Sequence, residues 1–166
     1  TYFVETKTIL IKISKFKILD ESQKKALFWL WNNEYPAKLC YNEITQFENY
    51  LSQLQNTNHY LIYDDFKNIS AWAFTFDREN SRWFAIILDK KTQNKGIGTQ
   101  LLQHLKAEEK KLYGWVIDHE NDFKVDGTKY KSPLIFYTIN GFEILPKQRL
   151  EFDMISAVKI KWEKQE

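Results

Sequence analysis

The chain has 166 residues, and since a typical domain holds ~100 to 200 residues, we expect one domain spanning residues 1–166. Hydrophobic residues make up 43% of the chain and aromatic residues 16%, which excludes an intrinsically disordered protein. The 24 basic and 22 acidic residues nearly balance and form no basic block, so we expect neither nucleic-acid binding nor binding to a membrane surface.

The sequence contains no stretch typical of a membrane span or a secretory signal. No uninterrupted apolar run is longer than Trp83 to Leu88, which is far shorter than the ~18 residues of a membrane-spanning helix. The N-terminus has no apolar signal-peptide core, so we expect a cytoplasmic protein. The single cysteine, Cys40, permits no internal disulfide, and a small buried thiol is its default interpretation.

The first third of the chain predicts a short strand and two helices. Thr8 to Ile13 alternates weakly in hydropathy, as a strand does. Asp20 followed by Gln23 has the pattern of a capping box, so we expect a helix to begin there and to run to about Asn33. A second amphipathic helix is predicted at roughly Glu43 to Leu54.

Three short segments rich in aromatic and branched residues come next. They are His59 to Tyr63, Ile69 to Phe76, and Arg82 to Leu88. The two breaks between them are short and polar, as turns are. The pattern therefore predicts three consecutive antiparallel strands.

After Leu88 the pattern changes to a loop, a long helix and a strand, which is the order of a parallel crossover. Gly114 is predicted to follow the helix as its C-cap, and Trp115 to Ile117 to form a strand parallel to Arg82 to Leu88. The apolar stripe of this helix is predicted to be Ile97, Leu101, Leu102, Leu105 and Leu112.

The last part of the chain predicts a polar loop, a helix and a hairpin. The loop runs from Asp118 to Lys131, and a short helix is expected around Pro133 to Ile139. Phe142 to Leu145 and Ile155 to Trp162 would form the final hairpin. The fold class is therefore α+β with a mixed sheet.

Two of the five glycines, Gly96 and Gly98, fall between a predicted buried strand and a helix N-terminus. Glycine lets a backbone approach a ligand closely, and the N–H groups at the start of a helix attract anions. The segment could therefore hold a phosphate, or it could be a tight turn that binds nothing. The string is not a Walker loop, and the third glycine of a dinucleotide-binding loop is replaced by Leu101.

The string Gln93-x-x-Gly96-x-Gly98 resembles the pyrophosphate loop, Q/R-x-x-G-x-G/A, of the GNAT superfamily of N-acetyltransferases. Phe136-Tyr137-x-x-x-Gly141-Phe142 resembles the F-Y-x-x-x-G-F string near the C-terminus of that family. Both motifs occur in the family's order, with the expected strands and helix between them. The resemblance covers nearly the whole chain and implies a mostly antiparallel sheet, flanking helices and one splayed pair of parallel strands.

The resemblance implies that acetyl-CoA is the cosubstrate and that it lies between the two parallel strands. Backbone groups of Ile86, Ile87 and Leu88 would pair with the pantetheine arm. The pyrophosphate would be held by the residues of the loop, namely Gln93, Asn94, Lys95, Gly96, Ile97, Gly98 and Thr99.

The same resemblance assigns Tyr137 as the acid that donates to the departing thiolate, with a buried structural tyrosine as the alternative. The family frequently has a glutamate base on the strand before the loop, whereas Arg82 to Leu88 contains no carboxylate. Asp118 or His119 could accept the proton, directly or through water, although a solvated polar loop also explains them. No metal is expected, because the histidines lack partners at ligand spacing.

In this family the acceptor usually lies against the first two helices and the loop that joins them. Trp31, Glu34 and Tyr35 are therefore expected to contact an amine-bearing acceptor, and core packing would explain Trp31 equally well. The implied activity is acetyl transfer to a primary amine of a small molecule or protein by a monomer or homodimer. The alternative is a non-catalytic protein of the same fold that binds coenzyme A or another ligand.

Overall fold

The computed structural model describes residues 11–166. The strand predicted at Thr8 to Ile13 falls mostly outside these residues, and the first described strand begins at Ser14. The strands are β1 (Ser14–Phe16), β2 (Gln55–Tyr63), β3 (Ile69–Arg78), β4 (Ser81–Leu88), β5 (Lys111–Val116), β6 (Glu143–Phe152) and β7 (Ile155–Glu163), and the helices are α1 (Glu21–Glu34), α2 (Ile44–Gln53), α3 (Ile97–Glu108) and α4 (Leu134–Ile139).

The seven strands form one sheet in the order β1-β2-β3-β4-β5-β7-β6. Strands β2, β3 and β4 pair consecutively and antiparallel, as predicted. Strands β4 and β5 pair in parallel, and β7 lies between β5 and β6. The prediction of an α+β fold with a mixed, mostly antiparallel sheet is confirmed.

Helices cover both faces of the sheet and divide the core in two. On one face, which we call the α1 side, Leu27 of α1 and Phe47 of α2 pack with Trp72 of β3. On the other, the α3 side, Leu101 and Leu105 of α3 belong to a second cluster. These side chains are fully buried, and each such burial is worth roughly 1.5–3 kcal/mol.

Short-range signals explain two of the element boundaries. The capping box predicted for α1 is present: Asp20 Oδ1 accepts from the Gln23 backbone N–H at 2.7 Å, and Gln23 Oε1 accepts from the Asp20 N–H at 2.9 Å. The turn between β3 and β4 consists of Glu79 and Asn80, which both have positive φ, as a two-residue hairpin turn requires. Arg78 is therefore the last residue of β3 and not part of the turn.

The prediction for the end of the crossover helix was wrong. Helix α3 ends at Glu108, so Leu112 is buried from strand β5 and not from the helix. Gly114 is not a helix cap but a strand residue: a Cβ there would lie 3.0 Å from Cε1 of Phe84. A glycine at this position permits close packing between neighbouring strands. This packing cannot be inferred from the position of Gly114 in the sequence.

The final elements lie close to their predicted positions, although β6 is longer than expected. Pro133 is the N-cap residue of α4, and Asn140 and Gly141 end the helix. Within residues 11–166, none of the helices is both long and apolar enough to cross a membrane.

Candidate active site

The parallel strands β4 and β5 separate almost as soon as they meet. Among the described residues, Trp83 and Tyr113 are the one pair in register between them. Beyond this pair, residues 84–88 and 114–116 face each other without strand pairing, and we call this opening the interstrand gap. Buried backbone N–H and C=O groups need partners, so the free strand edge suits an extended ligand that can pair with it.

A cavity of about 280 Å³ lies at the interstrand gap. Alternate residues of a strand point to opposite faces of the sheet, and both sets line the cavity. Phe84 and Ile86 contribute from the α3 side, whereas Trp83 and Trp115 contribute from the α1 side. The cavity can therefore receive one molecule from each side of the sheet.

The chain leaves β4 through a turn that ends at the N-terminus of α3. The Asp89 carboxylate accepts from the backbone N–H and the hydroxyl of Thr92, both at 3.0 Å. Asn94 and Gly96 then adopt positive φ, and Gly96 caps α3 without a side-chain hydrogen bond. The N–H groups of the first turn of α3 therefore lack a capping side chain, which is the arrangement that suits an anionic group.

The Gln93 side chain is exposed and joins the glycine loop to the ends of β4 and α1. Its amide donates to the Leu88 carbonyl at 3.0 Å and to the Glu34 carboxylate at 3.1 Å. Glu34 also accepts from Lys124 at 3.2 Å, and these two side chains are only 10% and 12% exposed. Glu34 thus joins the end of α1 to the glycine loop and to the 118–131 segment, and it does not line the cavity.

Gly98 brings the first turn of α3 against α4. A Cβ on this residue would lie 3.1 Å from Cζ of Phe136 and 3.7 Å from Cδ1 of Leu88. Any larger side chain would push the Phe136 ring away. The glycine is thus explained by packing, whether or not a ligand also approaches its backbone.

Tyr137 is buried in α4 and lines the cavity. Its ring meets Phe84 and Phe142 edge-on, with centroids 5.7 and 5.5 Å away. Within residues 11–166, no protein group hydrogen-bonds its hydroxyl. Burial, and to a smaller extent the nearby Tyr130, raises the pKa of Tyr137 well above its usual value, so the phenol keeps its proton at neutral pH.

The α1 side of the cavity has an aromatic wall. Trp31 and Tyr35, both predicted to contact an acceptor, line it with ring centroids 4.5 Å apart. The indole N–H of Trp31 donates to the Leu39 carbonyl at 2.9 Å, so this residue also holds the chain after α1. Tyr50 contributes from α2, and burial raises its pKa to about 12.

The predicted bases Asp118 and His119 lie at the end of β5 but do not line the cavity. Both oxygens of Asp118 pair with Arg149, at 2.8 and 3.0 Å, and this hydrogen bonding holds the pKa of Asp118 below its usual value. His119 Nδ1 accepts from the Asn121 N–H at 3.1 Å, and its Nε2 lies 3.9 Å from Asp122.

The three predicted strand residues have different surroundings. Ile86 lines the cavity, Ile87 is buried on the α1 side, and Leu88 packs on the α3 side.

Within residues 11–166, no group of three or more His, Cys, Asp and Glu side chains is placed to hold a metal ion.

Two further cavity residues, Arg78 and Tyr130, were not among the predicted site residues. Arg78 was assigned to a polar turn, and Tyr130 to a polar loop. Arg78 also lines a polar groove of about 490 Å³ at the β3–β4 turn, and that groove contains none of the predicted site residues. The position of Arg78 directly before a two-residue turn is a signal that could have placed it in a strand.

A family model described as an acetyltransferase (GNAT) domain matches residues 55–144, more than half of the chain. The matched range contains the interstrand gap, the glycine loop and Tyr137. The chain belongs to the GNAT acetyltransferase family. No curated protein matches it by sequence.

Solved structures of GNAT acetyltransferases share the fold at low sequence identity. An aminoglycoside 6'-N-acetyltransferase complexed with coenzyme A has a TM-score of 0.70 and 13% identity, covering 92% of this chain and 97% of its own. A phosphinothricin acetyltransferase from Sinorhizobium meliloti in complex with AcCoA has a TM-score of 0.66 and 10% identity, with coverage of 92% and 88%. Spermidine N-acetyltransferase from Vibrio cholerae, in complex with CoA and spermine, has a TM-score of 0.63 and 17% identity, covering 91% of this chain and 95% of its own.

Proposed function

We propose that this GNAT protein, acting as one domain over residues 1–166, transfers an acetyl group from acetyl-CoA to a primary amine of a small molecule. The observation that carries the proposal is the interstrand gap, which joins an unpaired strand edge, an uncapped helix N-terminus and a buried tyrosine hydroxyl. The similar structures include complexes with CoA and AcCoA, and they are named as acetyltransferases of amine-bearing compounds.

On the α3 side, the chain would hold the coenzyme through its backbone. The free edge of residues 86–88 would pair with the pantetheine arm. The first-turn N–H groups of α3 would donate to the pyrophosphate, with the exposed Lys90, Lys91 and Lys95 adding positive potential. Gln93 would contribute by fixing the loop, because its side-chain amide is already bound to Leu88 and Glu34.

The reaction is direct attack of a neutral amine on the thioester carbonyl. The new C–N bond forms as the C–S bond breaks, and the thiolate leaves with the electron pair of that bond. Tyr137 is the proposed proton donor to this thiolate, since its buried phenol is protonated and its hydroxyl is free to donate.

A primary ammonium ion must lose one proton before it can attack, and the nitrogen loses a second proton as the amide forms, which balances the proton that Tyr137 gives to the thiolate. The roles of Asp118 and His119 in this step stay a prediction. Because neither residue lines the cavity, the proton would reach them through water. Asp118 is the weaker acceptor of the two candidates, because Arg149 already stabilises its charged form.

A second candidate function is non-catalytic binding of coenzyme A. One observation favours it: within the described part of the chain, the residues lining the cavity include no carboxylate that could serve as a direct base. This function predicts binding of acetyl-CoA without its consumption. A cytoplasmic location and a monomeric or homodimeric state also remain predictions, and gel filtration tests the second.

The experiment that tests the proposed function is acetyl-CoA consumption over a panel of primary amines, followed by release of the free thiol. We expect turnover with at least one amine and a large loss of turnover in Tyr137→Phe. Binding of acetyl-CoA without turnover of any amine supports the non-catalytic function instead. Failure to bind acetyl-CoA contradicts both.

A further inference from the structure

The charge inside the cavity is unusual for a site that accepts an amine. Among the described residues, Arg78 is the one charged residue in the lining, and the lining contains neither Asp nor Glu. The remaining lining residues are mostly aromatic and aliphatic. A substrate with several ammonium groups would therefore meet a guanidinium and no compensating carboxylate.

Arg78 is also unusual among the arginines because it lacks an acidic partner. Its guanidinium lies 4.9 Å from the ring centroid of Phe76 and 5.5 Å from that of Trp83, and no carboxylate within residues 11–166 pairs with it. By contrast, Arg82 pairs with Asp77 and Glu109. The unpaired guanidinium thus lies over two neighbouring rings at the wall of the cavity.

A second cation lies against the same tryptophan. Lys159 Nζ is 5.0 Å from the ring centroid of Trp83 and 4.4 Å from that of Tyr113. Like Arg78, Lys159 has no carboxylate partner in the part of the chain that the structure describes. The two cations flank Trp83, at the point where β4 and β5 begin to separate, and nothing in the described structure neutralises them.

Two unpaired cations beside an aromatic cavity favour an anionic group on the ligand. Arginine suits a carboxylate best, because its planar fork can donate two parallel hydrogen bonds to the two oxygens. The cavity of about 280 Å³ is slightly smaller than the ~300–1,000 Å³ typical of small-molecule sites. A small molecule therefore fits this space better than an aminoglycoside does.

We propose that the acceptor is a small amino carboxylate, such as a free amino acid, whose carboxylate binds Arg78 with support from Lys159. This inference rests on the proposed acetyltransferase function, and it selects among amines those that carry an anionic group. Polyamines, which carry only positive charge, are excluded as preferred acceptors.

The test compares acceptors that differ only in the carboxylate. Phenylalanine is paired with phenethylamine, lysine with 1,5-diaminopentane, and 4-aminobutyrate with propylamine, with spermidine as a polycation. For each amine, kcat/KM is measured by thiol release from acetyl-CoA. We expect the best acceptor to carry a carboxylate and to exceed its partner roughly 10- to 100-fold, the range of a hydrogen bond to a charged group.

Variants of Arg78 connect this preference to the residue. In Arg78→Gln the ratio of kcat/KM between an amino carboxylate and its partner amine should fall to about 1. In Arg78→Lys this ratio should fall partway, since the charge remains and the fork is lost. Lys159→Gln should reduce it less than Arg78→Gln does. The control is Lys25→Gln, which removes an exposed cation from α1 and should leave the ratio unchanged.

The rise in Tm on adding acetyl-CoA measures whether each variant still binds the coenzyme. It distinguishes a failure of the acceptor assignment from a failure of the acetyltransferase function. If spermidine or the amines without a carboxylate are acetylated as well as the amino carboxylates, the acceptor assignment is overturned and the acetyltransferase function stands. The same holds if Arg78→Gln keeps the ratio, or if other amines are acetylated and none of the amino carboxylates reacts. If acetyl-CoA does not bind the wild type, both proposals fail.

Discussion

The two sides of the interstrand gap differ in the chemistry that they offer. The α3 side offers backbone groups: a free strand edge, the glycine loop and the first turn of a helix without a capping side chain. The α1 side offers side chains, with an aromatic wall and the unpaired guanidinium of Arg78. Backbone groups can bind any molecule with the same phosphate and amide skeleton, whereas side chains can change from one protein to another.

This difference explains why a motif predicted the glycine loop on the α3 side, whereas on the α1 side Trp31 and Tyr35 were predicted and Arg78 was not. The glycine loop is a short motif whose spacing follows from local backbone geometry. The aromatic wall is built from residues of separate helices and strands that meet only in the folded chain. Single substitutions on each side can test whether the two sides have separate roles in binding and catalysis.

The largest effect is expected at Tyr137, where the two sides meet. Tyr137→Phe removes the hydroxyl but keeps the ring that packs on Phe84 and Phe142. Because the lost contact strengthens only as the thiolate forms, the substitution should lower kcat by ~100-fold and leave KM for acetyl-CoA nearly unchanged. The measurement is steady-state kinetics on the best acceptor of the panel.

The matched control for Tyr137 is Tyr130→Phe, because Tyr130 lines the same cavity and burial raises its pKa in the same direction. We expect a much smaller change in kcat for this variant. If Tyr130→Phe loses activity and Tyr137→Phe does not, the proton donor has been assigned to the wrong tyrosine.

A new negative charge at the start of α3 should separate coenzyme binding from folding. Thr99 is exposed in the first turn of the helix, where a carboxylate stabilises the helix but repels a pyrophosphate. Thr99→Glu should weaken acetyl-CoA binding by about tenfold or more without lowering the Tm of the free protein, and neutral Thr99→Gln should bind nearly as the wild type does. Calorimetric titration measures the affinity of each variant for acetyl-CoA. Equal affinities of Thr99→Glu and Thr99→Gln would place the pyrophosphate elsewhere. Gly98→Val is a poorer probe because it also displaces Phe136.

The contact between Glu34 and Lys124 should affect stability and coenzyme binding together. Lys124→Met leaves the nearly buried Glu34 carboxylate without its cation, which should lower the free energy of unfolding by about 1–3 kcal/mol. Because Glu34 also fixes Gln93, the affinity for acetyl-CoA should fall a few-fold. Lys129→Met, an exposed residue of the same loop, is the control for urea unfolding, and an equal loss there would show that the ion pair is unimportant.

The smallest effects concern the end of β5. Arg149 lowers the pKa of Asp118 from its usual 3.8, so the pair stabilises the fold above about pH 4, and this contribution is lost as the pH falls through the lowered pKa. Asp118→Asn should therefore lower Tm slightly at pH 7, and the difference from wild type should shrink in acid. Equal differences at pH 7 and pH 3 would contradict this account of the pair.

The same residues allow the predicted base to be tested. If the amine proton leaves through His119 and water, His119→Ala should change the dependence of kcat/KM on pH over about pH 5 to 9. Asp118→Asn should change it less, because its carboxylate is already bound by Arg149. Unchanged profiles in both variants would remove this base from the mechanism.

Particular residues show which parts of the molecule the sequence could predict. The capping box at Asp20, the three antiparallel strands and the order of the crossover all follow from neighbours in the chain, and each was confirmed. Gly114 was misassigned because a glycine after a helix pattern indicates a cap. Its true reason, the Phe84 ring on the neighbouring strand, is a contact between residues 30 positions apart.

The site shows the same limit. Tyr137 was found through a motif, and the structure places it at the cavity. Arg78 was missed because its role depends on Phe76, Trp83 and the absence of an acidic partner within the described residues. Asp118 is near the predicted position at the end of β5, but its partner Arg149 comes from β6, and nothing in the local sequence of either residue indicates the pair.

A crystal structure of the protein with coenzyme A would show whether the interstrand gap receives the coenzyme from the α3 side. We expect the pyrophosphate at the N–H groups of residues 97–99, the pantetheine arm along the free edge of residues 86–88, and the thiol in the cavity beside Tyr137. Coenzyme A bound outside the interstrand gap, or with its thiol on the far side of the sheet from Tyr137, would contradict it.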